Sequence, residues 1–386
     1  MQSLNLTQLP PLSLYIHIPW CVKKCPYCDF NSHTFKNSQL PEMQYVDCLI
    51  ADLEQSLPLI WGRQINTIFI GGGTPSLFSG EAINRLINEL RMRLRISPYA
   101  EITMEANPGT VESRYIKEYR DAGINRLSVG IQSFNDVHLQ KLGRIHSASE
   151  AEKAIENVAK YFDNFNLDII YGLPEQSIEQ AKSDIEKAIS LHPTHISAYN
   201  LTIEPNTEFA KFVPKNLPSD DLCYQMQDEI VSTLSNAGYY RYEVSAYAKQ
   251  NRQAQHNLNY WQFGDYLGIG AGAHSKLSFH DKIIRQARIK HPEQYMKNVS
   301  TNQHIQVNNV VEHNDLPFEF MMNALRLVDG FNLTLFNQAT GLPISMVLSK
   351  ITQLQQQDLV VIQGNHLKPT NQGMDYLNNM LEIFLN

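Results

Sequence analysis

Three cysteines fall within eight residues, at Cys21, Cys25 and Cys28, just after an apolar run and inside WCVKKCPYC. Three thiolates at this spacing can converge on one soft metal centre. A structural zinc site wants four ligands, usually from two separated pairs. No second pair follows, because Cys48 and Cys223 are isolated and Cys48 lies opposite the apolar stripe of its helix. A [4Fe-4S] cluster held by three thiolates leaves one iron open to an external ligand, whereas chance spacing leaves three unrelated thiols. Other chemistry-bearing residues sit where apolar runs end. One run ends in Gly71-Gly72-Gly73-Thr74-Pro75, where missing side chains let the backbone approach a ligand. Another ends at Glu105, a third at Gln132, and a fourth carries Asp168. A single polar residue at such a place also suits a helix cap, but several in series with the thiols point to one site.

The elements that must hold these residues alternate. Short β-branched runs at 12–18, 67–70, 101–105, 126–131, 167–171 and 195–201 are each followed by turn residues and a helical pattern. Six strand–helix units in series predict an α/β fold with a parallel sheet, either doubly wound or an open barrel. In (β/α) barrels the working residues lie at the C-terminal ends of the strands, where these polar residues fall. Near residue 215 the rhythm changes, and near 310 it changes again to three helices, the hairpin LVVIQGNHLKPT and a final helix. This predicts three regions: a partial barrel over 1–215, an extension over 216–309 and a winged-helix-like domain over 310–386. Residues 301–386 carry three Lys and Arg against seven Asp and Glu, so this module is read as a packing or interaction domain and not a DNA reader. The whole chain of 386 residues has a net charge of −7, which argues against nucleic acid as a partner. No run approaches the roughly 18 apolar residues of a membrane span, and no signal-peptide pattern opens the chain. A cytoplasmic protein with at most peripheral membrane contact is expected.

The cysteine spacing and the glycine run resemble the radical S-adenosylmethionine (SAM) superfamily. YIHIPWCVKKCPYCDF, IFIGGGTPS, GIQSF, LGRIHS, LDIIYGLP and the C-terminal module narrow the resemblance to the HemN/HemW family over nearly the whole chain. That family comprises anaerobic coproporphyrinogen III dehydrogenases and haem chaperones. The resemblance implies an open (β/α)6 radical SAM barrel with a C-terminal winged-helix-like domain. It implies Cys21, Cys25 and Cys28 as cluster ligands, with Tyr15, Tyr27, Gly73, Thr74 and Glu105 around SAM. Gln132, Arg144 and Asp168 match positions that contact a second SAM in the dehydrogenases.

Two departures favour the chaperone branch, whose members lack dehydrogenase activity. The dehydrogenases carry a further cysteine two residues after the third, and here that position is Phe30. They also have an extension before the first strand, which here begins by Leu12. His256-Asn257-Leu258-Asn259-Tyr260-Trp261 fits the family's HNxxYW haem motif, making His256 the expected axial ligand, since imidazole suits haem iron. The residues alone suit a buried aromatic corner equally well. His274 is a second candidate ligand, read instead as a core histidine. The expected function is therefore haem carriage to haemoproteins, respiratory complexes among them, by a homodimer with a [4Fe-4S] cluster, SAM and haem. The alternative is an oxygen-independent coproporphyrinogen III dehydrogenase; a radical enzyme acting on tRNA ranks below both, for want of a basic appendage.

Overall fold

A computed structural model describes residues 4–35, 40–110 and 113–385, so residues 1–3, 36–39 and 111–112 of the first predicted region and 386 of the third lie outside the described residues. Six parallel strands form its centre: β1 (Leu12–Ile18), β2 (Gln64–Gly72), β3 (Arg95–Ala106), β4 (Arg126–Gln132), β5 (Phe165–Tyr171) and β6 (His195–Asn200). They lie side by side in chain order. A doubly wound sheet reverses its strand order at a switch point. This one never does, which settles the choice in favour of the open barrel. The crossover helices are α1 (Glu42–Ser56), α2 (Gly80–Arg93), α3 (Ser113–Ala122), α4 (Ala148–Ala159) and α5 (Ile178–Ser190).

Local chemistry explains their limits. Ser79 Oγ accepts from Ala82 N–H at the start of α2, and Ser147 with Glu150 forms a capping box on α4. Val46, Leu49 and Leu53 bury one stripe of α1 in the same core as Leu14 and Ile16 of β1. Fully burying each such side chain contributes about 1.5–3 kcal/mol.

The sheet continues beyond the six strands, which the sequence reading did not anticipate. On one flank, after the helix α6 (Asp220–Asn236), β8 (Ala246–Ala248) adds antiparallel to β6 and β7 (Tyr240–Arg241) adds antiparallel to β8. On the other, β9 (Asp265–Ile269) pairs parallel with β1, and β10 (His274–Ser278), β11 (Ile283–Arg288) and β12 (Ile305–Val310) follow antiparallel, giving twelve strands. The Gly-rich stretch GDYLGIGAGAHS is thus a strand, a tight turn and the start of another strand. A Cβ at Gly268 would stand 2.0 Å from the His274 carbonyl oxygen, so only glycine permits that approach. Helices α7 (Gln255–Trp261) and α8 (Pro292–Val299) lie in the same region.

The C-terminal module has α9 (Leu316–Ala324), α10 (Thr334–Thr340) and α11 (Ser345–Gln356), then the hairpin β14 (Val360–Gln363) and β15 (His366–Pro369), with β13 (Phe331–Asn332) as third strand. It buries Phe320, Phe336, Val347 and Leu354 in a cluster that also takes in Leu4, Leu6, Phe263 and Ile283. Among the described residues no helix is long and apolar enough to cross a membrane.

Candidate functional site

The loop after β1 carries the three cysteines, and its start is pinned to the glycine run after β2. Gly73 N–H donates to Ile18 O at 2.7 Å and Thr74 N–H to Trp20 O at 2.8 Å. A Cβ on Gly73 would meet Trp20 O at 2.5 Å, a backbone atom that cannot step aside. Gly72 has φ of +117°, a region that favours glycine. Cys28 N–H closes a turn onto Cys25 O, and Phe209 N–H holds Pro26 O from the far side.

A cavity of about 320 Å³ opens at the strand ends. Cys21, Cys25 and Cys28 line it together with Tyr27, Gly73, Thr74, Glu105, Gln132, Arg144 and Asp168. The candidates from six separate chain segments therefore converge. Among the described residues no three His, Cys, Asp or Glu side chains close into a cage for a metal ion, and the thiols face the cavity instead. Burial pushes Cys21 and Cys28 above the ordinary thiol value, and a bound cationic centre would reverse that. Arg144 donates to Gly130 O at 2.6 Å and to Cys25 Sγ at 3.6 Å, while its buried Nε has no partner among the described residues. Burial opposes its charge, but Tyr27 and Cys25 beside it raise its value. An unmet donor beside three thiols, with two carboxylates opposite, fits a cluster carrying a cationic ligand with its own carboxylate.

Glu105 accepts from Gly72 N–H at 3.0 Å; burial, and then Asp168, push its carboxyl up to about 8. Asp168 takes bonds from Ser128 Oγ at 3.0 Å and Asn166 Nδ2 at 2.8 Å, and burial raises it too. Ser128, Tyr199, Thr202 and Glu204 also line this cavity and were missed. Ser128 was findable, because residues two apart on a strand share a face and Gln132, Gly130 and Ser128 all line the cavity.

A second cavity, about 540 Å³, abuts the first; Asp29, Phe30, Gly72 and Glu105 line both. Tyr15 belongs to this one and not to the thiol cavity; its hydroxyl donates to His17 Nδ1 at 2.9 Å. Tyr260, Trp261 and Tyr266 form an aromatic wall, with Arg285 and Lys290 near it.

His256 lines neither cavity. It is 1 % exposed, and both ring nitrogens are taken: Nδ1 by Thr67 Oγ1 at 2.8 Å and Nε2 by Tyr260 Oη at 2.9 Å. Because Thr67 Oγ1 donates onward to Ser13 Oγ, the network assigns the proton to His256 Nδ1 and leaves Nε2 to accept from Tyr260. Burial, then the Arg126 charge, bring this ring down to about 3, so it stays neutral. The expected axial ligand thus has its lone pair engaged, and what it holds in place is Tyr260. His274 departs from its reading in the opposite sense: it is exposed at the start of β10 and lines the larger cavity.

With this geometry in hand, residues 15–188 match the radical SAM superfamily and residues 311–376 the HemN C-terminal domain. The chain is 49% identical to heme chaperone HemW of Haemophilus influenzae, over 98% of this chain and 99% of that protein. It is 46% identical to heme chaperone HemW of Escherichia coli, over 98% of this chain and 100% of that protein. Coproporphyrinogen III oxidase (HemN) from Escherichia coli, a radical SAM enzyme, superposes with a TM-score of 0.82 over 97% of this chain and 90% of that one. At 24% sequence identity that likeness is one of fold.

Proposed function

Because this chain belongs to the heme chaperone HemW family of radical SAM proteins, we propose that it binds haem and passes it to haemoproteins. Superfamily membership implies a [4Fe-4S] cluster and SAM. Cys21, Cys25 and Cys28 would hold the cluster, and the Gly72–Thr74 backbone with Glu105 would face SAM. When bound, these groups supply one-electron reductive chemistry; the chain's part is to seat them and shield them from water. Gln132, Arg144 and Asp168 complete the wall of that cavity.

The observation that carries the chaperone reading is the larger cavity standing beside the thiol cavity instead of inside it. Its aromatic wall suits a flat macrocycle, and Arg285 and Lys290 suit the carboxylates at a macrocycle's edge. The exposed Phe30 ring forms part of the partition, at the position where the dehydrogenases are expected to carry a further cysteine. On this reading the acidic C-terminal module meets the recipient, respiratory complexes among them, from the cytoplasm. Coproporphyrinogen III dehydrogenation is the second reading, favoured by Gln132, Arg144 and Asp168 converging on one cavity.

One anaerobic experiment on cluster-reconstituted protein separates the two. With SAM, a strong reductant and coproporphyrinogen III, mass spectrometry finds no protoporphyrinogen; haem-loaded protein then restores a haem-free recipient. Porphyrinogen turnover, or failure to transfer haem, overturns the chaperone reading.

A further inference from the structure

The larger cavity contains several groups able to reach a metal, and nearly all are occupied by the protein itself. His17 accepts from Tyr15 through Nδ1 and donates through Nε2 to Asn31 O at 2.8 Å. Tyr260 is spent on His256, and Tyr266 Oη on Arg285 at 2.8 Å. Lys276 is buried against Asp265, Ser278 and Phe263 O. His274 differs. Its ring is exposed, and among the described residues no hydrogen bond or ion pair engages either nitrogen. Partial burial and the nearby Lys290, Arg285 and Arg288 charges lower its value, which favours the neutral, iron-binding imidazole.

Two residues that line the same cavity carry donors with no protein partner among the described residues. Trp261 Nε1 is buried with no partner, although Arg326 lies over its ring at 4.4 Å. Lys290 is exposed, and no ion pair engages its ammonium among the described residues, whereas Arg285 is already neutralised by Glu319 at 2.7 Å. A buried donor left unmet is costly, and a carboxylate would satisfy it.

We propose that the larger cavity is the haem seat and that His274, not His256, gives its imidazole to the iron, while Lys290 and Trp261 Nε1–H receive a propionate. The assignment rests on the haem-carrier reading and adds the ligand to it. His256 is then a positioning residue: it fixes Tyr260, which forms part of the cavity wall.

The test is a haemin titration of the cluster-loaded full chain, read by the Soret band and by resonance Raman. Because His274 is exposed at a strand end, His274→Ala leaves the thermal melt unchanged. It weakens haem binding about tenfold or more and shifts the Soret band, and free imidazole restores the wild-type spectrum. Lys290→Glu weakens binding without moving the band. His256→Asn, checked by the same melt, keeps the wild-type iron signature. A His274→Ala protein with wild-type affinity and spectrum overturns the assignment while leaving haem carriage intact. So does loss of the histidine signature in a folded His256→Asn protein. A wild-type chain that binds no haem overturns the carrier reading itself.

Discussion

Replacing Asp52 by Ala lowers the unfolding free energy by about 3–5 kcal/mol, although Asp52 lines neither cavity. Its carboxylate is fully buried at the seam between α1 and the flank of the sheet that the six-strand reading left out. Oδ1 receives Arg288 Nη2 at 3.2 Å and His304 Nε2 at 3.0 Å; Oδ2 receives Tyr295 Oη at 2.9 Å and Gly270 N–H at 3.1 Å. Removing it strands the Arg288 guanidinium, whose side chain is wholly buried, with only Ser56, Ser275 and Gln286 oxygens for partners. Burial alone would raise the Asp52 carboxyl, but Arg288, His304 and the Gly270 amide outweigh it and bring it to about 2. The folded value lies below the ordinary 3.8, so the stabilisation is complete above about pH 4 and fades as pH falls through 2. A shift of that size amounts to about 2–3 kcal/mol. Urea titrations of wild type and Asp52→Asn therefore show a gap that is constant from pH 5 to 7 and narrows below pH 4. A gap under about 1 kcal/mol at pH 7, or one indifferent to acid, would show that this network does not tie the flank to the barrel.

That flank marks where sequence reading ends. β1 was legible with its observed limits because its signal is local, a single apolar run. β9 carries no comparable signal. Its Gly268 weakens strand propensity, and only its pairing with β1, Leu267 opposite Leu14, makes it a strand. The thiol cavity was legible because strand ends in a series of parallel units must gather at one edge. The roles of the two histidines were not. His256 is engaged by Thr67, 189 residues away in the chain, and no spacing within HNxxYW announces that partner. His274, read as a core histidine, follows a glycine-rich turn that brings it out to the cavity.

Glu105 links the two cavities, and its ionisation sets the second large effect. Held at about 8 by burial and by Asp168, against the pull of Gly72 N–H, the carboxyl is mostly protonated at pH 7 before SAM binds. SAM brings a sulfonium and an ammonium, and a cation in a buried site favours the carboxylate. Binding then expels a proton. Affinity is complete above pH 8 and falls by up to about tenfold per unit as pH drops from 8 toward the bound-state value. Calorimetry at pH 7 in two buffers of different ionisation enthalpy reads that proton directly. Glu105→Gln keeps an oxygen for the Gly72 amide but cannot ionise. It weakens SAM binding by about 1.5–3 kcal/mol, the difference made by a charged hydrogen-bonding partner, and removes the slope between pH 7 and 8. Asp168 beside it is raised by burial and held by hydrogen bonds from Ser128 and Asn166. Because the same carboxyl lines the proposed haem seat, ionising it places a negative charge beside the incoming propionates. Saturating SAM should therefore weaken haem binding in wild type near pH 7 and leave it unaltered in Glu105→Gln. Equal haem affinities with and without SAM would show that the two cavities load independently.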